Sequence, residues 1–331
     1  MEGPDHVIHD ARDRTRLAPT MNHMRRSCCA CLACGVLIAL ALPCALLPAR
    51  LAAEGPAALD GEAFQTSSGM VTTAVTVRER NGGLISNLTE GDFVVEEDGR
   101  PQALTRFTSE RTPLSVAIVI DISQSLIGEP MGVTRGAARR FIEIALRPDD
   151  EVALVSFNHA VNVVANWTTD RTRLLGSLDA LAPSGSTALY DALFRTISLF
   201  TRRSLQRAAM VVISDGADSA SDRTSTQIKK ELAGTDLFLY WIAVDHVDAR
   251  PATRINPYTI AEIAAQGNGY SEVIHRTEDL DAALTRVSDE LNHQYMLSYE
   301  PATPANGHIH TVRVSVPNRN YVVRARREVL R

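Results

Sequence analysis

The sequence predicts an α/β fold in which a doubly wound, mostly parallel sheet is inserted between β segments that form a small β-sandwich. Three observations carry this expectation. The centre of the chain alternates apolar runs of strand length with stretches of helical spacing, the pattern of strands covered by helices on both faces. The two ends share a different texture, short β-branched runs punctuated by turn residues. Neither end holds enough strands for a well-covered sheet of its own, and unpaired edges invite aggregation, so the two ends are expected to pair. An insertion between them is tolerated because domain ends usually lie close together.

The chain has 331 residues, 45% of them apolar and 22% charged, a composition that suits a folded body of about two domains. Residues 1–20 are polar and patternless, and Met21 and Met24 offer alternative starts to Met1. All five cysteines, Cys28, Cys29, Cys31, Cys34 and Cys44, fall in one uncharged apolar stretch, residues 28–47, preceded by Arg25 and Arg26 and followed by Leu51-Ala52-Ala53. That is the grammar of a Sec-type export signal. The stretch is also long enough to span a bilayer, so it is read either as a cleaved signal peptide or as an uncleaved anchor. The expected location is therefore periplasmic or secreted, with residues 28–47 as the one membrane contact. No cysteine remains beyond it for a disulfide framework or a thiolate metal site.

The expected organisation is an extension and leader over 1–53, an Ala/Gly/Pro-rich linker over 54–65, the first part of the sandwich over 66–112, the α/β domain over 113–294 and the second part of the sandwich over 295–331. In the first part, Val71 to Val77 reads as a strand, Asn81-Gly82-Gly83 as a turn, and Phe93-Val94-Val95 running into Glu96-Glu97-Asp98-Gly99 as a hairpin. In the centre, strands are predicted at Leu114–Ile120, Val152–Phe157, Val161–Trp167, Met210–Ser214, Leu237–Val244 and Tyr270–Ile274. Helices are predicted at Val133–Leu146, Arg171–Leu181, Ala188–Phe200, Thr226–Ala233, Thr259–Ala265 and Glu278–Asn292. The second part holds predicted strands at Tyr295–Tyr299, Thr311–Val316 and Tyr321–Ala325. Residues 1–53 contain six of the 34 Lys/Arg and four of the 39 Asp/Glu, which leaves the body net negative by about seven. Nothing in that balance favours nucleic acid.

The candidate site lies where ligands bind in open parallel sheets, beyond the carboxyl ends of the strands. Asp121 directly follows the run Val116-Ala117-Ile118-Val119-Ile120, with Ser123 and Ser125 at alternate positions after it. Asp215 closes the run Met210-Val211-Val212-Ile213-Ser214, and Thr187 ends the loop Pro183-Ser184-Gly185-Ser186. Two carboxylates and three hydroxyls form a hard oxygen set suited to Mg²⁺ or Mn²⁺. With no cation between them, carboxylates about 4 Å apart repel by about 4 kcal/mol at an effective dielectric of about 20. Because hydroxyls carry no formal charge, a cation held here stays under-neutralised and keeps a position for an acidic group from another molecule.

The segments Asp121-x-Ser123-x-Ser125, Gly185-Ser186-Thr187-Ala188-Leu189-Tyr190-Asp191-Ala192-Leu193 and Ile213-Ser214-Asp215-Gly216 resemble, in order, the metal-ion-dependent adhesion site of von Willebrand factor A domains. The flanking β segments, with Leu88-Thr89-Glu90-Gly91-Asp92-Phe93 and Glu97-Asp98-Gly99, resemble bacterial exported proteins related to that family, over roughly residues 66 to 327. The resemblance implies a Rossmann-like domain in which Ser123, Ser125 and Thr187 coordinate the ion and Asp121 and Asp215 contact it directly or through water. A partner protein's Asp or Glu then completes the shell. Gln124 and Ser186 depart from the family's usual glycines, and neither departure removes a ligand.

Taken singly, an Asp at a strand end or a Ser or Thr near a helix start is usually a turn or cap residue; it is their joint order that points to a metal. Asp191 is expected to brace the loop or serve the helix dipole, Asp218 and Asp222 to be solvated loop carboxylates, and His308 and His310 to lie on an exposed strand edge. A rival function is a hydrolase with a strand-end Asp nucleophile, but the second carboxylate such a site needs two residues on is here Ser123. The P-loop reading of Gly185-Ser186-Thr187 lacks its Lys. The expected function is non-enzymatic, metal-dependent protein binding. The alternative is a scaffold or subunit of an envelope complex in which the metal is purely structural.

Overall fold

The computed structural model describes residues 69–215, 217–245 and 256–331. The leader and linker expected over residues 1–65 lie outside the described residues. The described residues begin with four strands: β1 (Val71–Glu79), β2 (Val94–Glu97), β3 (Arg100–Gln102) and β4 (Leu104–Thr108). The middle runs β5 (Leu114–Asp121), α1 (Glu129–Arg140), β6 (Glu151–Phe157), β7 (Val161–Thr168), α2 (Arg171–Asp179), α3 (Leu189–Leu199) and β8 (Arg207–Ser214). It continues with α4 (Ser225–Leu232), β9 (Leu237–Val244), α5 (Pro257–Gln266), β10 (Tyr270–Ile274) and α6 (Leu280–Asn292). Four strands close it: β11 (Tyr295–Tyr299), β12 (Ile309–Ser315), β13 (Tyr321–Ala325) and β14 (Glu328–Leu330).

The central sheet has the order β10-β9-β8-β5-β6-β7. Its four inner strands are buried along their whole length, as continuous apolar runs require. Alternate residues supply two separate cores. Val116, Ile118 and Ile120 face α1, α2 and α6 with Leu154, Val211 and Ile213 beside them. Ala117 and Val119 face α3, α4 and α5 together with Val155, Val212 and Trp241. All pairs are parallel except β6 with β7. Only Asn158, His159 and Ala160 separate those two strands, too short a link for a crossover, so β7 turns back as an antiparallel edge.

Strands from the two ends of the chain meet in two antiparallel sheets of order β13-β1-β11-β4 and β14-β12-β2-β3. β1 is held between late strands, Val71 opposite Tyr299 and Val75 opposite Ala325. Val75, Val77, Phe93, Val95, Tyr295, Leu297, Tyr299 and Val312 form one core between the sheets. The β2–β3 turn has both central residues left-handed, Asp98 at φ 49° and Gly99 at φ 74°, the conformation in which Asp-Gly makes a two-residue hairpin.

The helix predicted over Val133–Leu146 departs from expectation at its end. It is α-helical to Arg140, and Phe141–Ala145 forms a wider π-type turn. The wider turn breaks the 3.6-residue spacing, so Ile142 is buried and Ile144, placed by that spacing on the inner face, is 79% exposed. Strands β4 and β14 have no counterpart among the predicted elements. Among the described residues no helix is long and apolar enough to cross a membrane.

The amino end of β5 is fixed by one buried carboxylate. Asp150, fully buried, accepts from Leu114 N at 3.0 Å, Arg147 N at 2.8 Å and both terminal nitrogens of Arg111. Arg111 in turn donates from Nε to Asn292 at 2.6 Å, tying the end of α6 to the same corner. Asp150→Ala leaves a buried guanidinium and two amides unmet and should lower the unfolding free energy by about 3–5 kcal/mol. The urea midpoint of the variant against wild type reads this; a shift equivalent to less than about 1 kcal/mol would mean the corner is held by packing instead.

Candidate functional site

β5 and β8 are parallel neighbours, and their pairing runs to Ile120 opposite Ile213. The strands therefore end at the same level, and the residues that follow are brought side by side. Asp121 is fully buried, and its Oδ2 accepts from Ser214 Oγ at 2.6 Å while its Oδ1 accepts from the Ser123 amide at 2.8 Å. Ser123 Oγ and Ser125 Oγ stand 2.9 Å apart, so the alternate spacing does turn both hydroxyls to one side. Ser125 Oγ donates to Asp215 Oδ1 at 2.9 Å. Four of the five candidate residues are thus joined in one hydrogen-bonded chain. Ser214 was not among the candidates; its position inside Ile213-Ser214-Asp215 is the signal that could have found it.

Thr187 enters from a second loop. Ser184 N donates to Ile122 O at 2.8 Å and Gln124 N to Gly185 O at 2.9 Å, which docks residues 184–187 on the loop that carries the serines. Thr187 is 6% exposed, with its amide donating to Ser219 Oγ at 3.1 Å and its carbonyl accepting from Ser219 N and Ala220 N. None of these bonds uses its hydroxyl. Gly185 is needed at its place: φ is +75°, and an added Cβ would lie 2.3 Å from His159 Nδ1. Gln124 and Ser186, the two departures from the family pattern, are both exposed.

The loop after Asp215 does more than expose carboxylates. Asp218 Oδ1 accepts from Leu189 N at 2.8 Å and Tyr190 N at 3.3 Å, capping α3 across the site, and Ser221 Oγ at 2.5 Å holds it there. This replaces the solvated role expected for Asp218, whose cap function is invisible to local pattern because its helix begins 29 residues earlier. Asp222 is exposed, and its amide donates to Asp191 Oδ2 at 3.0 Å. Asp191 also takes Arg223 Nη1 at 3.3 Å, the loop-bracing role expected of it.

His310 differs from expectation. It is buried, between Asp98 Oδ2 at 2.7 Å on Nδ1 and Asn306 Oδ1 at 3.0 Å on Nε2, while His308 is exposed. Glu97, Asp98 and His310 are the one group of three or more acidic, His or Cys ligands gathered among the described residues. Glu97 is already engaged by Arg331 and by Tyr299 Oη at 2.7 Å, a guanidinium that repels any cation placed there. The cluster is an ion-pair lock on the β2–β3 turn.

Electrostatics sets Asp121 apart. Burial, and after it the charge of Asp215, push its carboxyl up to about 6, against the opposing hydrogen bonds from Ser214 and Ser123. Ionised at neutral pH, such a group costs the fold about 3 kcal/mol. An all-oxygen set with one strained buried carboxylate fits a hard divalent cation, which would relieve that cost.

Residues 116–217 match the family model of the von Willebrand factor type A domain. Residues 116–217 are thus a von Willebrand factor type A domain. Inter-alpha-trypsin inhibitor heavy chain H2 of Mus musculus is 27% identical over 135 residues, which take in 36% of this chain and 14% of that protein. The Sus scrofa counterpart is 25% identical over 132 residues, again 36% and 14%. The chain thus spans a small part of the length of the curated relatives it matches. Among solved structures, a von Willebrand factor type A protein from Catenulispora acidiphila aligns with TM-score 0.48 and 14% identity over 81% of this chain and 74% of that one. The vWF domain of the type V pili tip protein Mfa5 from Porphyromonas gingivalis aligns with TM-score 0.44 and 13% identity, over 55% and 96%. Domains of this family are modules of protein interaction and adhesion.

The sign of the Asp121 shift makes a prediction for the metal-free von Willebrand factor A domain. The folded state binds this proton more tightly than the unfolded chain, whose carboxyl titrates near 3.8. The group's stabilising contribution is therefore complete below about 3.8 and lost as pH rises through about 6. Asp121→Asn, which cannot ionise, should gain on wild type by up to about 3 kcal/mol between pH about 4 and about 7 in chelator. Urea unfolding of both proteins across that range measures it, and a difference that stays flat with pH would place the carboxyl at its ordinary value.

Proposed function

We propose that this chain is an exported, non-enzymatic binding protein that holds Mg²⁺ or Mn²⁺ on Asp121, Ser123, Ser125, Thr187 and Asp215 and uses it to take an acidic residue of a partner protein. The observation that carries the reading is the hydrogen-bonded series Ser214–Asp121–Ser123–Ser125–Asp215 at the carboxyl ends of two adjacent buried strands. Asp121 supplies a buried negative charge and fixes the Ser123 amide. Ser123 and Ser125 present neutral oxygens, and Asp215, 7% exposed, supplies the second charge nearer the surface. Thr187 would add a hydroxyl from the opposite loop. The bound ion supplies an electrophilic position for a carboxylate oxygen. Ser123 stands two residues after Asp121, where a hydrolase with an Asp nucleophile would carry its second carboxylate. Exposed Ile127, 59% exposed two residues after Ser125, stands on the rim such a partner would meet.

Titration of the chelator-treated protein with Mn²⁺ and with Mg²⁺ in a calorimeter should give one saturable site. Thr187→Ala should weaken it by about tenfold, the worth of one ligand to a charged group. Capture from cell-envelope extract should then need both the wild-type threonine and the cation. Capture that is equal with and without metal would move the reading to a scaffold with a structural ion, and no cation binding at all would overturn it.

A further inference from the structure

A second site of different chemistry lies where the edge of the central sheet meets the strands from the chain ends. Arg78 of β1, Tyr270, Ser271 and Glu272 of β10, Arg286 of α6 and Arg324 of β13 wall a cavity of about 220 Å³. We propose that this cavity binds a small oxyanion, phosphate or the carboxylate of a small organic acid, on the converging guanidiniums of Arg78, Arg286 and Arg324.

The charge count comes first. Glu290, fully buried behind the cavity, faces two guanidiniums: Arg78 Nε at 3.2 Å and Arg324 Nη2. Glu272 holds Arg286 through Nε at 3.0 Å and through Nη2. Arg286 also feels the charge of Asp279, which is itself paired with Arg276 at 2.8 Å, so four cations share three carboxylates and one positive charge is left over in a partly buried setting, where a counter-charge is worth more than in water.

The donors come second. Arg78 donates from Nη1 to Gly82 O at 2.9 Å, Arg324 from Nη2 to Glu290, and Arg286 from Nε and Nη2 to Glu272. Arg78 Nη2, Arg324 Nη1 and Arg286 Nη1 donate to none of the described residues. Three guanidiniums therefore each keep one terminal NH₂ uncommitted, and Arg78, with Nε also unmet, keeps a two-nitrogen fork of the kind that takes carboxylate and phosphate oxygens. The wall is otherwise poor in acceptors. Arg78 Nε, although at ion-pair distance from Glu290, is not aligned to donate to it, and Arg78 Nε and Tyr270 Oη are both buried without an acceptor. Burial and the charges of Glu290 and Glu272 push the Tyr270 phenol well up, so it stays a neutral donor. Arg324 is seated over the Tyr270 ring at 4.8 Å, which holds its guanidinium in place at the cavity wall. A cation finds only Glu272 here, already taken, and a neutral ligand leaves the spare charge unmet. An oxyanion answers both.

The test is calorimetric titration of the full-length chain with sodium phosphate and, separately, sodium acetate, each against sodium chloride at equal ionic strength. Saturable binding of at least one of the two in the millimolar range or tighter is expected, and which one binds names the ligand class. Arg286→Gln leaves both partners of buried Glu290 in place, so the fold is kept, as circular dichroism would check. It should weaken the anion about tenfold and leave Mn²⁺ binding at Asp121 unchanged. Arg78→Lys, which keeps the charge against Glu290 but loses the fork, should weaken it similarly. No saturable binding of either anion to wild type, or the same affinity in wild type and both variants, would overturn the proposal.

Discussion

The constraint on which this molecule depends is the burial of four parallel strands on both faces. Strands covered by helices on each side can carry no polar side chain along their length without a partner, so β5 from Val116 to Ile120 and β8 from Ala208 to Ile213 are wholly apolar. Polar chemistry is thereby confined to the strand ends. Because neighbouring parallel strands in register finish together, Asp121 and Asp215, which each close such a run, are brought to one end of the sheet. The site is a by-product of the sheet's own rule, and the loops from residues 122 and 184 add hydroxyls by docking on one another through main-chain bonds.

Much of this was legible in the sequence because the same rule writes it there. The strands Leu237–Val244, Tyr270–Ile274, Tyr295–Tyr299 and Tyr321–Ala325 have the bounds their apolar runs predict. The adjacency of Asp121 and Asp215 follows from each closing a run of the same kind. The features that were not legible depend on contacts far away in the chain. β4 and β14 are strands because β11 and β12 lie beside them, not because LTRFT or EVL insists on it. Asp218 becomes a cap, and His310 becomes buried, through partners that local spacing cannot reveal.

The same distinction separates the two sites. At Asp121 the sequence order of the motifs is itself the signal, and the carboxylates and hydroxyls are packed into a few residues. The arginine-lined cavity draws Arg78, Arg286 and Arg324 from three remote segments, and nothing in the sequence marks them as a set. Its chemistry is also the inverse: donor-rich and positive, against acceptor-rich and negative.

The pairing of β1 with β11 and β13 has a consequence for the order in which the molecule can assemble. Val71 must wait for Tyr299, and Val75 for Ala325, so β1 has neither neighbour until nearly all of the chain has been made. The central sheet needs no such delay, since its strands and covering helices lie within one continuous stretch. Its closure brings the last turn of α6 to the start of β11 and so shortens the search that β1 faces, turning a contact of very high sequence separation into a local docking step. Until then β1, with its alternating valines, is an exposed sticky edge. β1 is thus the strand whose place in the fold is completed latest, once β11 and β13 stand on either side of it.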